Sequence, residues 1–375
     1  MKRLEFGVNA CFVRHGRVGG SEQATVNLLQ GLRSEAAAHE RWVVYDREPL
    51  VTREPLAPVR ERTLRDIAPV NRMVYEPVAL SLMRQPSAWL HLNYVTPFGL
   101  RAPSVTVVHD LQYLYFPENV PAVKRAWLSR AHAMTARRAQ AIVAISQFTA
   151  KDLYRLHGST IDGKVEVIPN AVSFDRLIAA APEELPPRLV PRRPFLLAVA
   201  AQYRHKNLKT LIAAYELIAK RREVDLVLVG QRLDQLSGHF RAPAVESKEA
   251  RPGIRFTGFV PDAVLGALYR SASVFVFPSL FEGFGLPIVE ALGLRVPTVT
   301  TRCGAIPEIG ADHPVYVNDP CSVGELAEAV EAALDKPDIA RPDEADAEKL
   351  RDVYSPSAVA ARYADLLRRV AGQCR

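Results

Sequence analysis

The stretch SVFVFPSLFEGFGLPIVEALGLRVPTVTT, Ser273 to Thr301, decides the fold. Val274 to Phe277 are β-branched or aromatic and stop at a proline, the signature of a short buried strand. Pro287 suits an early helical position, and PIVEALGL continues as a helix. VPTVTT then resumes as a strand. Two strands joined by a helix are parallel, so the stretch is one βαβ unit. Its connecting turn, EGFGL, carries Glu282 and is followed by Glu290 in the helix. Two carboxylates at the seam of a buried strand and a buried helix call for a chemical reason.

The same alternation runs outward in both directions. EFGVNACFV, RWVVYD, SAWLHLN, SVTVVHD, AIVAIS and VEVIPN read as strands, with helical stretches such as SEQATVNLLQGLRSE and PAVKRAWLSRAHAMTARRAQ between several of them. From Ala181 to Pro194 the chain reads APEELPPRLVPRRP, where no periodicity survives; this reads as a linker. After it come FLLAVAA, a helix from Asn207 with Leu208, Leu211, Ile212, Tyr215 and Ile218 on one face, then DLVLVG, IRFTGFV, SVFVFP, VPTVTT and PVYVN. Asn207 is expected to cap that helix. The fold class is therefore α/β, with two tandem Rossmann-like doubly wound domains facing a cleft. The boundaries expected are 1–187 for the first domain and 188–355 for the second, with 356–375 a terminal helix.

The chain has 375 residues, enough for two domains of ordinary size. Hydrophobic residues make up 48% and charged residues 24%, which excludes a disordered chain. No apolar run reaches the roughly 18 residues of a membrane span, and MKRLEFGVNACFV is too mixed for a secretory signal. The expected location is cytoplasmic. Four cysteines lack metal-ligand or redox spacing, and no Asp-x-Asp pair occurs. The net charge is +7, most of it before Pro187. With no nucleic-acid-binding motif, such an excess suits a phosphate-bearing substrate or an anionic membrane surface.

Domains of this class bind ligands beyond the carboxyl ends of their strands. The EGFGL turn lies there, and Gly283, Phe284, Gly285 and Leu286 present backbone to a ligand at a helix N-terminus, which favours phosphate. Ionised carboxylates accept hydrogen bonds from paired hydroxyls. A ligand with a diphosphate in its middle and a diol at each end satisfies both features, and that is a nucleotide sugar. Glu290 would take the ribose and Glu282 the sugar. In AAQYRHKN, Arg204 and Lys206 bring cations to the next strand end, where they meet charge developing on a diphosphate leaving group. His109 and Asp110 end the strand of VVHDL, and Gly19 and Gly20 open the first helix.

FPSLFEGFGLPIVEAL resembles the Glu-x7-Glu signature of the family-four retaining glycosyltransferases. GFVPDAVLGALYRSASVFVFPS, GAIPEI, VVHDLQYLYFPE, AISQFTAKDL and VIPNAV resemble neighbouring segments of that family, so the resemblance covers most of the chain. It implies the two-domain GT-B fold, no cofactor and no metal. It also implies a same-face mechanism in which the departing phosphate helps remove the acceptor proton. Catalytic roles are implied for His109, Lys206 and Glu282. Donor contacts are implied for Arg204, Lys206, Phe259, Val260, Glu282, Gly283, Phe284, Gly285, Leu286 and Glu290, and acceptor-side roles for Gly19, Gly20, His109 and Asp110. The terminal helix is expected to cross back to the first domain. Ala200 and Arg295 depart from the family pattern, each standing where glycine is usual.

The expected activity is transfer of a sugar, mannose from GDP-mannose on overall resemblance, to a saccharide or lipid-linked saccharide in cell-surface polysaccharide synthesis. A UDP- or dTDP-sugar donor, or a non-catalytic nucleotide-sugar-binding subunit, is the alternative. A phosphorylase of the same architecture would need a pyridoxal phosphate site, which the sequence does not display. Lys124, Arg125, Arg130, Arg137 and Arg138 on one helix suggest peripheral contact with the inner face of the cytoplasmic membrane.

Overall fold

The structure, a computed structural model, describes residues 4–13, 19–37, 39–47, 76–178, 193–200, 203–230 and 253–373, with 59–63 described by their backbone. Most of the expected linker, through residue 192, lies outside the described residues.

Two compact units account for the chain. The first comprises Met1–Ala171 with Tyr354–Arg375, and the second Val172–Val353. The boundary thus falls earlier than the proline-rich stretch, because the residues just after Ala171 are bound into the second unit. The Phe174 ring fills the space a Cβ on Gly293 would occupy, and Arg176 pairs with Asp262.

In the first unit seven strands form one parallel sheet. They are β1 (Leu4–Asn9), β2 (Glu40–Asp46), β3 (Val59–Thr63), β4 (Ala88–His91), β5 (Ser104–Val108), β6 (Ala141–Ala144) and β7 (Val165–Val167). Their order is β3-β2-β1-β4-β5-β6-β7. Asn9 stands opposite His91, so the chain reverses its direction of winding between β1 and β4. β4 and β5 are buried throughout, as a sheet covered on both faces requires. β3 escapes the pattern reading because three of its five residues, VRERT, are charged; it is an edge strand.

The second unit repeats the plan with β8 (Phe195–Val199), β9 (Asp225–Val229), β10 (Ile254–Gly258), β11 (Val274–Phe277), β12 (Thr298–Thr301) and β13 (Val315–Val317). The order is β10-β9-β8-β11-β12-β13, all parallel, with the reversal between β8 and β11. The expected face of the helix Leu208–Ile218 is the buried one, packed into a core with Leu196, Leu226 and Val276. The methyl of Ala200 packs on the same core.

Arg295 is explained by how the helix Leu286–Gly293 ends. Its φ is +56°, its N–H reaches the Leu292 carbonyl, and the Val296 N–H reaches that of Ala291. This is a Schellman stop, whose left-handed residue is usually glycine. The Arg295 guanidinium instead binds the Glu344 carboxylate at 2.8 Å, which offsets part of the strain.

The terminal helix Pro356–Gln373 packs against the helix Gly20–Glu35 within the first unit. Gly31 makes the approach possible, since a Cβ there would lie 1.9 Å from the Pro356 carbonyl oxygen. Gly31→Val is therefore expected to cost roughly 1–3 kcal/mol and lower the melting temperature of the first unit by several degrees in calorimetry. An unchanged transition would show that the two helices do not meet this closely.

Three strongly buried imidazoles are expected to weaken the fold in acid. Burial pushes His91 and His132 down to about 3, and burial together with the Lys206 charge does the same to His205. Each folded value lies below the unfolded one near 6.5, so the unfolded chain takes up the protons first as pH falls. Their contribution is complete above pH 6.5 and is lost from there down toward 3. The melting temperature is expected to drop by several degrees between pH 6.5 and 5, above the range in which ordinary carboxylates titrate. A flat profile over that window would contradict buried neutral imidazoles.

Candidate functional site

In the second unit the site is built at the reversal between β8 and β11. After β8 the chain makes one tight turn, Arg204–Lys206, and enters the helix through Asn207, whose φ of +56° is left-handed. Asn207 does occupy the cap position, but its side chain makes no cap hydrogen bond. It donates instead to the carbonyls of Pro278, at 3.2 Å, and Pro320, at 2.6 Å, and accepts from the Thr210 hydroxyl. The Leu280 N–H reaches the His205 carbonyl at 2.7 Å. The turn after β8 is thereby tied to the turn after β11.

That tie sets Lys206 against Glu282. Lys206 Nζ donates to Glu282 Oε1 at 2.6 Å and lies 5.5 Å from the centre of the Phe277 ring. Their side chains are 17% and 11% exposed, so the pair is shielded but reachable. Glu282 is fixed from behind by Gly304, where a Cβ would lie 2.4 Å from its carbonyl oxygen, and by the Ala305 N–H, which donates to that oxygen at 2.9 Å. The hydroxyls of Thr300 and Thr301, in β12, donate to the carbonyls of Phe277 and Ser279. On sequence alone Gly304, within GAIPEI, and both threonines, within VPTVTT, have no role at the site, because their contribution is to hold backbone and their residue types are common in any strand or turn.

Gly283 and Phe284 form the turn. Gly285, with φ of +104°, occupies the cap of the helix that begins at Leu286, and the N–H of Ile288 bonds to its carbonyl. An L-residue at that φ would be strained, so the glycine is required by the turn itself.

Glu290 is placed differently from Glu282. It is 4% exposed, accepts from the Tyr269 hydroxyl at 3.0 Å through Oε2, and is paired with Arg176 through Oε1. Arg176 also donates to Asp262 at 2.6 Å. Burial raises the Glu290 pKa while Arg176 and Tyr269 pull it back. Burial and the Glu290 charge together raise Tyr269. The two carboxylates therefore each have a cation of their own, whereas the sequence suggested only hydroxyl partners. Arg176 and Tyr269 went unread because a lone Arg and a lone Tyr, 114 and 21 residues from Glu290, carry no pattern.

Phe259 and Val260 follow β10; the Phe259 ring is 81% exposed and Val260 is buried. Arg204 is exposed in its turn.

In the first unit His109 follows β5. The Leu92 carbonyl can only accept, so Nε2, at 2.8 Å from it, carries the proton. Nδ1 is then a bare lone pair, buried and without a hydrogen-bond partner among the described residues. Burial lowers the His109 pKa, with the Leu92 carbonyl acting against it, so the ring is held neutral. Phe12 and Tyr94 flank the ring, with centres 6.3 and 5.7 Å away. Asp110 accepts from the Gln112 N–H at 3.0 Å and so orders the following turn. Gly19, with φ of +70°, precedes the helix that starts at Gly20, and a Cβ there would meet nothing within 4 Å.

Among the described residues no cluster of His, Cys, Asp or Glu is suited to a metal ion, and no helix is long and apolar enough to cross a membrane.

Comparison with known proteins supplies the relationship. A family model described as Glycosyltransferase Family 4 matches residues 18–176, and one described as Glycosyl transferases group 1 matches residues 193–336. The O-antigen chain mannosyltransferase B of Escherichia coli is 30% identical over 247 residues, 63% of this chain and 62% of that protein. The match thus spans less than two thirds of that relative's length. Sucrose-phosphate synthase from Thermosynechococcus elongatus has a similar fold, with a TM-score of 0.77 at 18% identity over 99% of this chain and 100% of that one. So does Anabaena HepE in complex with UDP and glucose, with a TM-score of 0.71 at 17% identity over 97% and 99%. The chain carries a Glycosyltransferase Family 4 domain and a Glycosyl transferases group 1 domain, on the fold that its structural neighbours share.

Proposed function

We propose that the protein transfers a sugar, mannose from GDP-mannose, to a hydroxyl of a saccharide or lipid-linked saccharide, with retention of configuration and without a metal. The setting is assembly of a cell-surface polysaccharide at the cytoplasmic face of the membrane. The observation that carries this reading is the Lys206–Glu282 pair at a strand reversal, beside a glycine turn and a helix bearing Glu290. Relatedness to an O-antigen chain mannosyltransferase supports the sugar and the acceptor class. The fold shared with a protein holding UDP and glucose keeps a UDP-sugar as the second reading.

In this reading an arriving diphosphate draws Lys206 away from Glu282. The lysine then opposes the charge that grows on the leaving phosphate, and Glu282, freed of its cation, accepts from sugar hydroxyls. Glu290, kept in place by Arg176 and Tyr269, receives the ribose diol through its remaining lone pairs. The Nδ1 of His109 is an acceptor for a sugar hydroxyl. The protein's part is positioning and charge stabilisation. The basic helix Ala122–Arg138, whose Lys124 and Arg130 are exposed, supplies attraction to anionic lipid.

Thermal shift with GDP-mannose, UDP-glucose, UDP-N-acetylglucosamine and dTDP-rhamnose is expected to show one responder in wild type and no shift in Glu290→Ala. A shift that survives in the variant would remove Glu290 from the donor site. With that donor, Lys206→Ala and Glu282→Gln are expected to lower kcat by about 10²- to 10³-fold, while EDTA leaves the wild-type rate unchanged. Near-wild-type turnover in both variants would overturn the assigned roles.

A further inference from the structure

Two thiols converge in the second unit, beside the turns that hold Lys206 and Glu282. β12 and β13 are neighbours and parallel, with Thr301 opposite Val317. Cys303 stands two residues past Thr301 and Cys321 four past Val317, so both follow the carboxyl ends of adjacent strands. The backbone around them is tied together. Asn207 Nδ2 donates to the carbonyls of both Pro278 and Pro320, which brings the residue before Cys321 to the turn after β11. The Thr301 hydroxyl donates to the Ser279 carbonyl in that same turn at 2.6 Å, and Thr301 is hydrogen-bonded to the Cys303 thiol.

Neither sulfur is in a disulfide; Cys321 is exposed and Cys303 partly buried. Burial raises the Cys303 pKa, the Thr301 hydrogen bond acts against it, and the Cys321 thiolate adds to the rise, so the two sulfurs sense each other's charge. An exposed thiol beside a shielded one is the arrangement of an attacking cysteine and a resolving one. Their places in the fold give such a bond a consequence. Gly304, next to Cys303, lies close against the Glu282 backbone, and the Ala305 N–H donates to the Glu282 carbonyl at 2.9 Å. Pro320, next to Cys321, supports Asn207 and through it the turn of Lys206. A bond between the sulfurs would pull on both supports of the Lys206–Glu282 pair.

We propose that Cys303 and Cys321 form a thiol–disulfide exchange site for a low-molecular-weight disulfide such as glutathione disulfide, and that closing the protein disulfide weakens donor binding. The Cys321 thiolate attacks one sulfur of the small disulfide, breaks its S–S bond and expels one thiolate, leaving a mixed disulfide on Cys321. Cys303 gives its proton to solvent and attacks the Cys321 sulfur. The protein S–S bond forms, the mixed one breaks, and the second small thiolate leaves; each expelled thiolate takes up a proton. The two cysteines are oxidised by two electrons and the small disulfide is reduced by two. The effect on donor binding rests on the transferase reading, whereas the disulfide itself does not.

The test uses the full chain as Cys374→Ser, which removes a thiol outside the described residues. The protein is incubated with glutathione disulfide, alkylated, digested without reduction and mapped by mass spectrometry. A peptide pair joined through Cys303 and Cys321 is expected, and dithiothreitol is expected to release it. Oxidation is expected to raise the Kd of the nucleotide sugar that stabilises the reduced protein by about tenfold, reversibly. With Cys321→Ser added and the reduced melting temperature unchanged, no joined pair forms and donor affinity no longer responds to glutathione disulfide. Glutathione left as a mixed disulfide, or a joined pair that includes Cys11, overturns the site. A Cys303–Cys321 bond with unchanged donor affinity overturns the coupling. Absence of a shift with any nucleotide sugar in the reduced protein would count against the transferase reading, while the peptide map still decides the exchange site.

Discussion

One ion pair gives the second unit its chemical character. Lys206 and Glu282 come from turns more than seventy residues apart in sequence, yet meet at 2.6 Å. A shielded pair of this kind adds little to stability over an apolar pair of the same shape, and removing one partner strands the other charge. Stability alone is a poor reason for it. A site that must receive a diphosphate and a sugar together is a better one, because each ligand group replaces one half of the pair. The surrounding structure is arranged to hold the two turns in register. Asn207 spans them, Gly304 lets the 303–305 turn press against Glu282, and β12 supplies two threonine hydroxyls to carbonyls of the β11 turn.

The two units share a plan but differ in electrostatics. At its strand reversal the second unit has a lysine and a helix N-terminus, both suited to anions. The first unit has amides, a carboxylate whose cation is already bound, and a neutral imidazole with a bare nitrogen.

Much of this was legible in the sequence, for identifiable reasons. Strands buried on both faces form continuous apolar runs, so β4, β5, β8, β9 and β11 stand out, and the glycine turn between Phe277 and Pro287 advertises a strand-to-helix connection. Glu282 and Glu290 are conspicuous because carboxylates are rare in such company. Contacts over long sequence separations were not legible. Nothing in a lone Arg176 says that it will pair with Glu290, nor does Asn207 announce that its amide will tie two turns rather than cap a helix. The unit boundary was misplaced for a similar reason: proline density marks where regular structure stops, whereas Phe174 and Arg176 had already joined the second unit through packing and charge. Arg295 looked like a fault and is a helix stop with its own ion pair.

The most direct test of the central claim is a crystal structure with the nucleotide sugar that stabilises the protein. The account predicts that Lys206 Nζ leaves Glu282 for a phosphate oxygen, that Glu282 accepts from sugar hydroxyls, and that Glu290 holds the ribose. A nucleotide bound elsewhere, with the Lys206–Glu282 pair intact, would contradict it.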